Sequence, residues 1–242
     1  MALHHNPRIP TDGLVVLYDA ADPISFPGSG TQLYNLANSG MGTTLSLYGD
    51  LSFGSISNGV VNIGGNANNT AEGCILRSTG SIADTLNGSF TSIGWIKRTT
   101  SKDAEVLSYR ETWQRLAFTI FDTGMGFYQR ETVDAGEDGS YNTFTTTVSV
   151  TNNLNEWNCF ALVKSGSQWS FYKDGQLLQT NTFDMTETIS GGAYHVGGAW
   201  SDDDYLSNCM NGSVGPVLHY TRPLSDQEIL QVYNSHKARY NA

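Results

Sequence analysis

The stretch Asn211-Gly-Ser-Val-Gly-Pro-Val-Leu-His-Tyr-Thr-Arg-Pro-Leu-Ser-Asp-Gln-Glu-Ile-Leu-Gln-Val-Tyr233 constrains the fold of this chain more than any other. Residues 214–220 read as a strand, and Arg222-Pro223 as the turn that ends it. Ser225 and Glu228 then stand at the spacing of a capping box. The serine side chain accepts from the backbone near Glu228, and the glutamate reaches back. Ile229, Leu230 and Tyr233 give a short apolar helical stripe. The spacing predicts a strand, a tight turn and one helix over about residues 226–236.

The rest of the chain reads as strands. Asp174-Gly175 separates two alternating runs, 169–173 and 176–178. Asp-Gly there is a hairpin signal, because both central positions need positive φ. Residues 90–97 (Phe-Thr-Ser-Ile-Gly-Trp-Ile-Lys) are apolar on both faces, which places them centrally in a sandwich. Further strands are expected over 14–19, 45–47, 60–63, 106–109, 116–121, 126–129, 144–150, 157–164, 194–197 and 214–220. Residues 130–142 are too polar for a core and read as a loop. The 26 glycines among 242 residues, with frequent Thr, Ser and Asn, suit many short strands joined by tight turns. A chain this long buries roughly three quarters of its unfolded surface, and no shift in composition marks a second domain. Residues 1–12, with Pro7 and Pro10, read as an arm outside the core, and 13–242 as one domain.

Charge and cysteine usage narrow the function. Thirteen Lys and Arg against twenty-three Asp and Glu leave a net charge of −10, which repels phosphate backbones and argues against nucleic acid. No apolar run approaches the ~18 residues of a membrane span, and the polar, proline-broken start argues against a secretory leader. Cys74, Cys159 and Cys209 are odd in number and lack metal-ligand spacing. Cys159 alternates with Trp157, Ala161 and Val163 and reads as a core residue. Synthesis in a reducing cytoplasm fits these features.

The run Gly13-Leu-Val-Val-Leu-Tyr-Asp-Ala-Ala-Asp-Pro-Ile-Ser-Phe-Pro-Gly-Ser-Gly-Thr31 resembles the opening of laminin-G-like (concanavalin A-like) jelly rolls found in tailed-phage virion proteins. Tyr34-Asn-Leu-Ala-Asn-Ser-Gly40 resembles their next segment. Residues 90–97, 155–164, 171–175 and 194–198 follow in the family's order, and the strand–turn–helix ending closes it. The resemblance spans roughly residues 13–237. It implies an all-β fold, a two-sheet antiparallel jelly-roll sandwich with a short C-terminal helix. It also implies a virion protein made in the host cytoplasm. Such a protein would be a decoration or adhesion module on head or tail, joined to other virion proteins through the N-terminal arm and gripping glycans. A homo-oligomer is compatible with that role. A free bacterial lectin-like protein is the alternative. Many relatives carry Asp in a calcium-binding segment where this chain has Gly64, which weakens an inherited Ca²⁺ site.

Candidate site residues are few. Glucanases of this fold resemble one another in a Glu-x-Asp-x-x-Glu strand, which this chain lacks. Glu131, Asp134 and Glu137 are three apart, a spacing that strand alternation cannot bring to one face. No catalytic residue is assigned and an enzyme is not expected. His195 and His219 lie in strands and read as structural. Asp202, Asp203 and Asp204 could supply oxygens to Ca²⁺, or they form a solvated acidic loop. Trp200 and Tyr205 flank that run, and Trp113 and Tyr141 adjoin polar loops. All four are candidates for a sugar platform, with core burial as the alternative. Trp95, Trp157 and Trp169 sit within apolar strand patterns and are assigned to the core.

Overall fold

The computed structural model of the protein describes residues 8–37, 43–65, 73–101, 104–111, 114–132, 141–185, 189, 191–200, 206–207 and 209–240. In chain order the strands are β1 (Leu14–Tyr18), β2 (Gln32–Tyr34), β3 (Thr44–Gly49), β4 (Ser55–Ser57), β5 (Val60–Ile63) and β6 (Cys74–Ser78). They continue as β7 (Phe90–Arg98), β8 (Ala104–Glu111), β9 (Gln114–Phe121), β10 (Gly124–Thr132), β11 (Tyr141–Ser149) and β12 (Trp157–Ser165). The series closes with β13 (Gln168–Lys173), β14 (Gln176–Thr182), β15 (Ala193–Val196), β16 (Ala199–Trp200), β17 (Leu206–Ser207) and β18 (Gly212–Tyr220). Helix α1 (Ala83–Asn87) precedes β7, and α2 (Asp226–Tyr240) follows β18.

Two eight-stranded antiparallel sheets result, the expected jelly-roll sandwich. Sheet A runs β14-β13-β12-β7-β18-β5-β4, with β1 also pairing β18, and sheet B runs β11-β10-β9-β8-β15-β6-β3-β2. The main core between them includes Phe90, Ile96, Phe118, Phe127, Phe160, Trp169 and Phe171. The two-faced apolar character of residues 90–97 has a direct cause. Phe90 and Ile96 face sheet B, while Ile93 and Trp95 on the opposite face pack under α2 with Ile229, Val232 and Tyr240. The central strands of sheet A are thus a middle layer, covered on both sides.

The capping box is as the spacing predicts. Ser225 Oγ accepts from the Glu228 N–H at 3.3 Å, and Glu228 Oε2 accepts from the Ser225 N–H at 2.9 Å. Arg222 adds two contacts to the same carboxylate, at 2.6 and 3.1 Å. The helix continues past 236 to Tyr240 because Arg239 holds Asp19 with two 2.6 Å hydrogen bonds and Tyr240 stacks on Trp95. At Asp174-Gly175 both φ angles are positive, 51° and 78°, as the hairpin signal requires.

The polar segment 130–142 is partly strand. β10 extends to Thr132 and β11 begins at Tyr141, with Glu131 opposite Asn142. Backbone pairing carries a hairpin beyond the core whatever side chains it bears. Of the arm expected over residues 1–12, residues 8–12 lie on the chain's own body. Tyr220 Oη donates to the Pro10 carbonyl at 3.1 Å, Arg222 Nε donates to the Asp12 carbonyl at 3.0 Å, and Ile9 packs beneath α2. Residues 1–7 lie outside the described residues.

Candidate ligand-binding groove on the outer face of sheet B

Alternation along each strand of sheet B sends one set of residues into the core and the other to the opposite face. Leu45 and Leu47 of β3 and Leu76 of β6 point inward, so Ser46, Tyr48, Ile75 and Arg77 share the outer face. The register carries one row across the sheet: Ser46 opposite Arg77, Arg77 opposite His195, His195 opposite Ser108, Ser108 opposite Ala117, Ala117 opposite Tyr128.

Part of this face is covered. After β15 the chain turns at Gly197 and the β16–β17 hairpin lies back over the sheet. Ser108 Oγ donates to the Gly198 carbonyl at 3.0 Å, and Leu206 and Cys209 pack on Ile75 beside Tyr48. Beneath this region Glu105, Ser108 and His195 are buried.

Where the cover ends, a groove of about 510 Å³ opens, lined by Ser46, Tyr48, Arg77, Ser78, Thr79, Gly80, Ser81, Gly192 and Ala193. Tyr48 and Arg77 are half-buried. The Arg77 guanidinium lies 4.7 Å from the centre of the Tyr48 ring, a cation–π pair that fixes both groups at the floor. Ser78 Oγ donates to the Gly80 carbonyl at 2.5 Å and accepts from the Tyr194 N–H at 2.9 Å. Ser81 Oγ donates to the Gly191 carbonyl at 2.5 Å. Gly191 and Gly192, at φ 65° and 69°, turn the rim through two successive left-handed residues, a path open to glycine. The groove therefore offers a flat aromatic face, a planar five-donor cation and a wall of hydroxyls. Such surfaces suit a polyhydroxylated ring.

The sequence-derived candidates fall around this face unevenly. The backbone of Trp200 lies in the β16–β17 hairpin, opposite Leu206, over the same face. Tyr141 begins edge strand β11, opposite Thr132, on the far side of sheet B. Trp113, Tyr205, Asp202, Asp203 and Asp204 lie outside the described residues. Among the described residues no group of three or more His, Cys, Asp or Glu is placed to hold a metal. At Gly64, where relatives carry Asp, the Asn211 amide oxygen accepts from the Gly65 N–H at 2.8 Å and lies 3.0 Å from where a Gly64 Cβ would stand. A neutral amide thus fills the space beside Gly64.

His219 is structural, as its strand position implies. It is fully buried, with Nδ1 2.7 Å from Ser92 Oγ and Nε2 2.9 Å from Thr85 Oγ1. Trp95 and Trp169 are core residues. Trp157 is only half-buried, because it opens β12 beyond the last turn of α2 and covers the edge of the Tyr240 ring. Tyr48 and Arg77 are the residues that sequence reasoning missed. Their signal was a polar alternation in β3 and one arginine in the apolar run of β6. Only register places the two side by side.

Comparison with known proteins agrees with this architecture. The binding domain of botulinum neurotoxin DC, solved with rat synaptotagmin II, superposes with a TM-score of 0.64 at 12% identity. The match covers 93% of this chain and 52% of that one. A botulinum neurotoxin type C structure, titled for cell entry through two ganglioside molecules, gives 0.64 at 14%, over 93% and 51%. The serotype D binding domain gives 0.64 at 11%, over 95% and 53%. The chain spans about half of each, and at such identities the likeness is one of fold. No curated protein matches the sequence. Residues 57–230 match the laminin-G-type profile of the concanavalin A-like lectin/glucanases superfamily, and the chain belongs to that family.

Proposed function

We propose that this protein is a non-catalytic adhesion or decoration module of a bacteriophage virion that binds glycans through the outer face of sheet B. The observation that carries the binding part is the Tyr48–Arg77 pair in a hydroxyl-lined groove. A sugar ring stacks its C–H face on the tyrosine while its hydroxyls meet the guanidinium and the serine and threonine side chains. The virion part is supported by the ordered segments shared with laminin-G-like domains of tailed-phage proteins. The non-catalytic part is supported by the lack of the Glu-x-Asp-x-x-Glu strand that glucanases of this fold carry.

Two measurements test the proposal. On a glycan array the protein binds a restricted set of saccharides, and Tyr48→Ala or Arg77→Ala weakens that binding at least about tenfold, the loss of one stacking or charge-assisted contact. Binding untouched by both substitutions would move the site elsewhere. Quantitative mass spectrometry of purified phage particles then finds the chain at fixed stoichiometry. Its presence only in bacterial culture would make it a free lectin-like protein.

A further inference from the structure

A second groove, of about 720 Å³, lies on the other side of the sandwich, where β7, β12 and the β13–β14 turn meet the C-terminal end of α2. It shares no lining residue with the groove on sheet B. Trp157 forms its aromatic wall, half-exposed and held by a 4.5 Å contact with the Tyr240 ring. Lys97 stands directly across from Trp157 in the β7–β12 ladder, so ammonium and indole rise from the same face.

The charge here is unusual for this chain. Three of its thirteen basic residues, Lys97, Lys173 and Arg239, line one groove in a protein of net charge −10. Two carboxylates stand beside them, each accepting from a neutral donor and keeping its charge. Glu156 accepts from the Asn153 amide at 2.8 Å, and Asp174 accepts from the Cys159 N–H at 2.8 Å. Arg239 is committed to Asp19 and Lys173 to the Thr151 carbonyl. Lys97 is the one of these three cations with no hydrogen-bond or ion-pair partner among the described residues, and its ammonium is open to a ligand. Asn155, one of the three non-glycine residues with positive φ among those described, lines the groove at φ 63°. Such positions are kept where a turn or a site needs them.

We propose that this groove is a second binding site, for a saccharide bearing a carboxylate. One sugar ring stacks on Trp157, its carboxylate meets Lys97, and its hydroxyls meet Asn155. The site is independent of the groove on sheet B. With both occupied, one molecule engages two glycans from opposite faces and gains avidity on a glycan-coated surface.

The test follows the indole N–H signals of the ¹⁵N-labelled full chain during titration with 3′-sialyllactose and with digalacturonate, lactose serving as the neutral control. Trp157→Phe identifies the Trp157 signal. That signal is expected to shift with at least one acidic sugar at millimolar concentration, in the wild type and in Tyr48→Ala alike, and to ignore lactose. Lys97→Met keeps the aliphatic stem and lowers the affinity about tenfold or more, as losing a charge-assisted hydrogen bond does. Asn155→Gly keeps the left-handed turn, removes the amide and also weakens binding. A silent Trp157 with both acidic sugars overturns the proposal. So does an equal response to lactose, an unchanged affinity in Lys97→Met, or a response that disappears in Tyr48→Ala.

Discussion

The imidazole of His219 is closed off from water, edged by Phe90 and bonded through both nitrogens to hydroxyls of Ser92 and Thr85. Burial pushes its pKa down to about 3. The unfolded chain has an ordinary histidine near 6.5 and takes up a proton that the native protein refuses until about pH 3. Stability is therefore complete above 6.5 and falls with pH through that window, by on the order of 4 kcal/mol at its lower end. In His219→Gln, which retains a donor and an acceptor, urea unfolding at pH 7, 5.5 and 4 is expected to show a shallower fall than in wild type. Parallel slopes would assign the acid sensitivity to other groups. The structural role of His219 was legible in sequence because it sits in an apolar strand at the close of the domain. Tyr48 and Arg77 were not, since each alone is an ordinary polar residue of a strand. Their meaning arises from neighbours 29 positions apart, brought together by the pairing of Ser46 with Arg77 and of Tyr48 with Ile75.

Helix α2 was legible from its first turn because capping is a local matter: Ser225 and Glu228 satisfy each other's backbone within four residues. Ser225→Ala is expected to cost about 1 kcal/mol in denaturant unfolding, with the 2.6 Å Arg222–Glu228 pair remaining. Its far end was not legible, because Lys237-Ala-Arg-Tyr240 has no apolar period and is held by distant partners, Asp19 and Trp95. That docking also explains a glycine in the middle of β18. A Cβ on Gly215 would lie 2.6 Å from the Tyr240 hydroxyl and 2.9 Å from Trp95 Cβ. Gly215→Val is therefore expected to lift the last turn of α2 off the sheet and destabilise the fold by about 1–3 kcal/mol, the range for overpacking. Circular dichroism and the Trp157 indole signal would report the displaced turn. A variant as stable as wild type would mean that the helix end yields without cost. The reverse misjudgement occurred over 130–142, where polar composition suggested a loop and ladder hydrogen bonds extended both strands.

At the scale of the whole molecule the three layers leave two differently built faces. Sheet B's outer face carries the Tyr48–Arg77 groove, while the outer face of sheet A is roofed by α2 and by residues 8–12. That strap is built from backbone carbonyls: Pro10 accepts from Tyr220 and Asp12 from Arg222, with the Gln231 amide bonded to Arg8. Ile9 adds apolar contact beneath the helix. Residues 8–12 thus lie on the α2 side of the sandwich, opposite the outer face of sheet B. Removing residues 1–7 touches none of these bonds, so unfolding should move by less than about 0.5 kcal/mol. Removing residues 1–12 exposes Tyr220 and strips Arg222 of its carbonyl partner and of the Asp12 carboxylate 3.0 Å away. A loss of about 2 kcal/mol is expected, a fall in Tm of roughly 4–8 °C for a chain of this size. The two truncations separate folding from attachment. If the shorter one folds as wild type, keeps its glycan binding and is lost from particles, residues 1–7 are the anchor. If it is incorporated normally, attachment runs through the folded body, and the α2 face becomes the surface to mutate next.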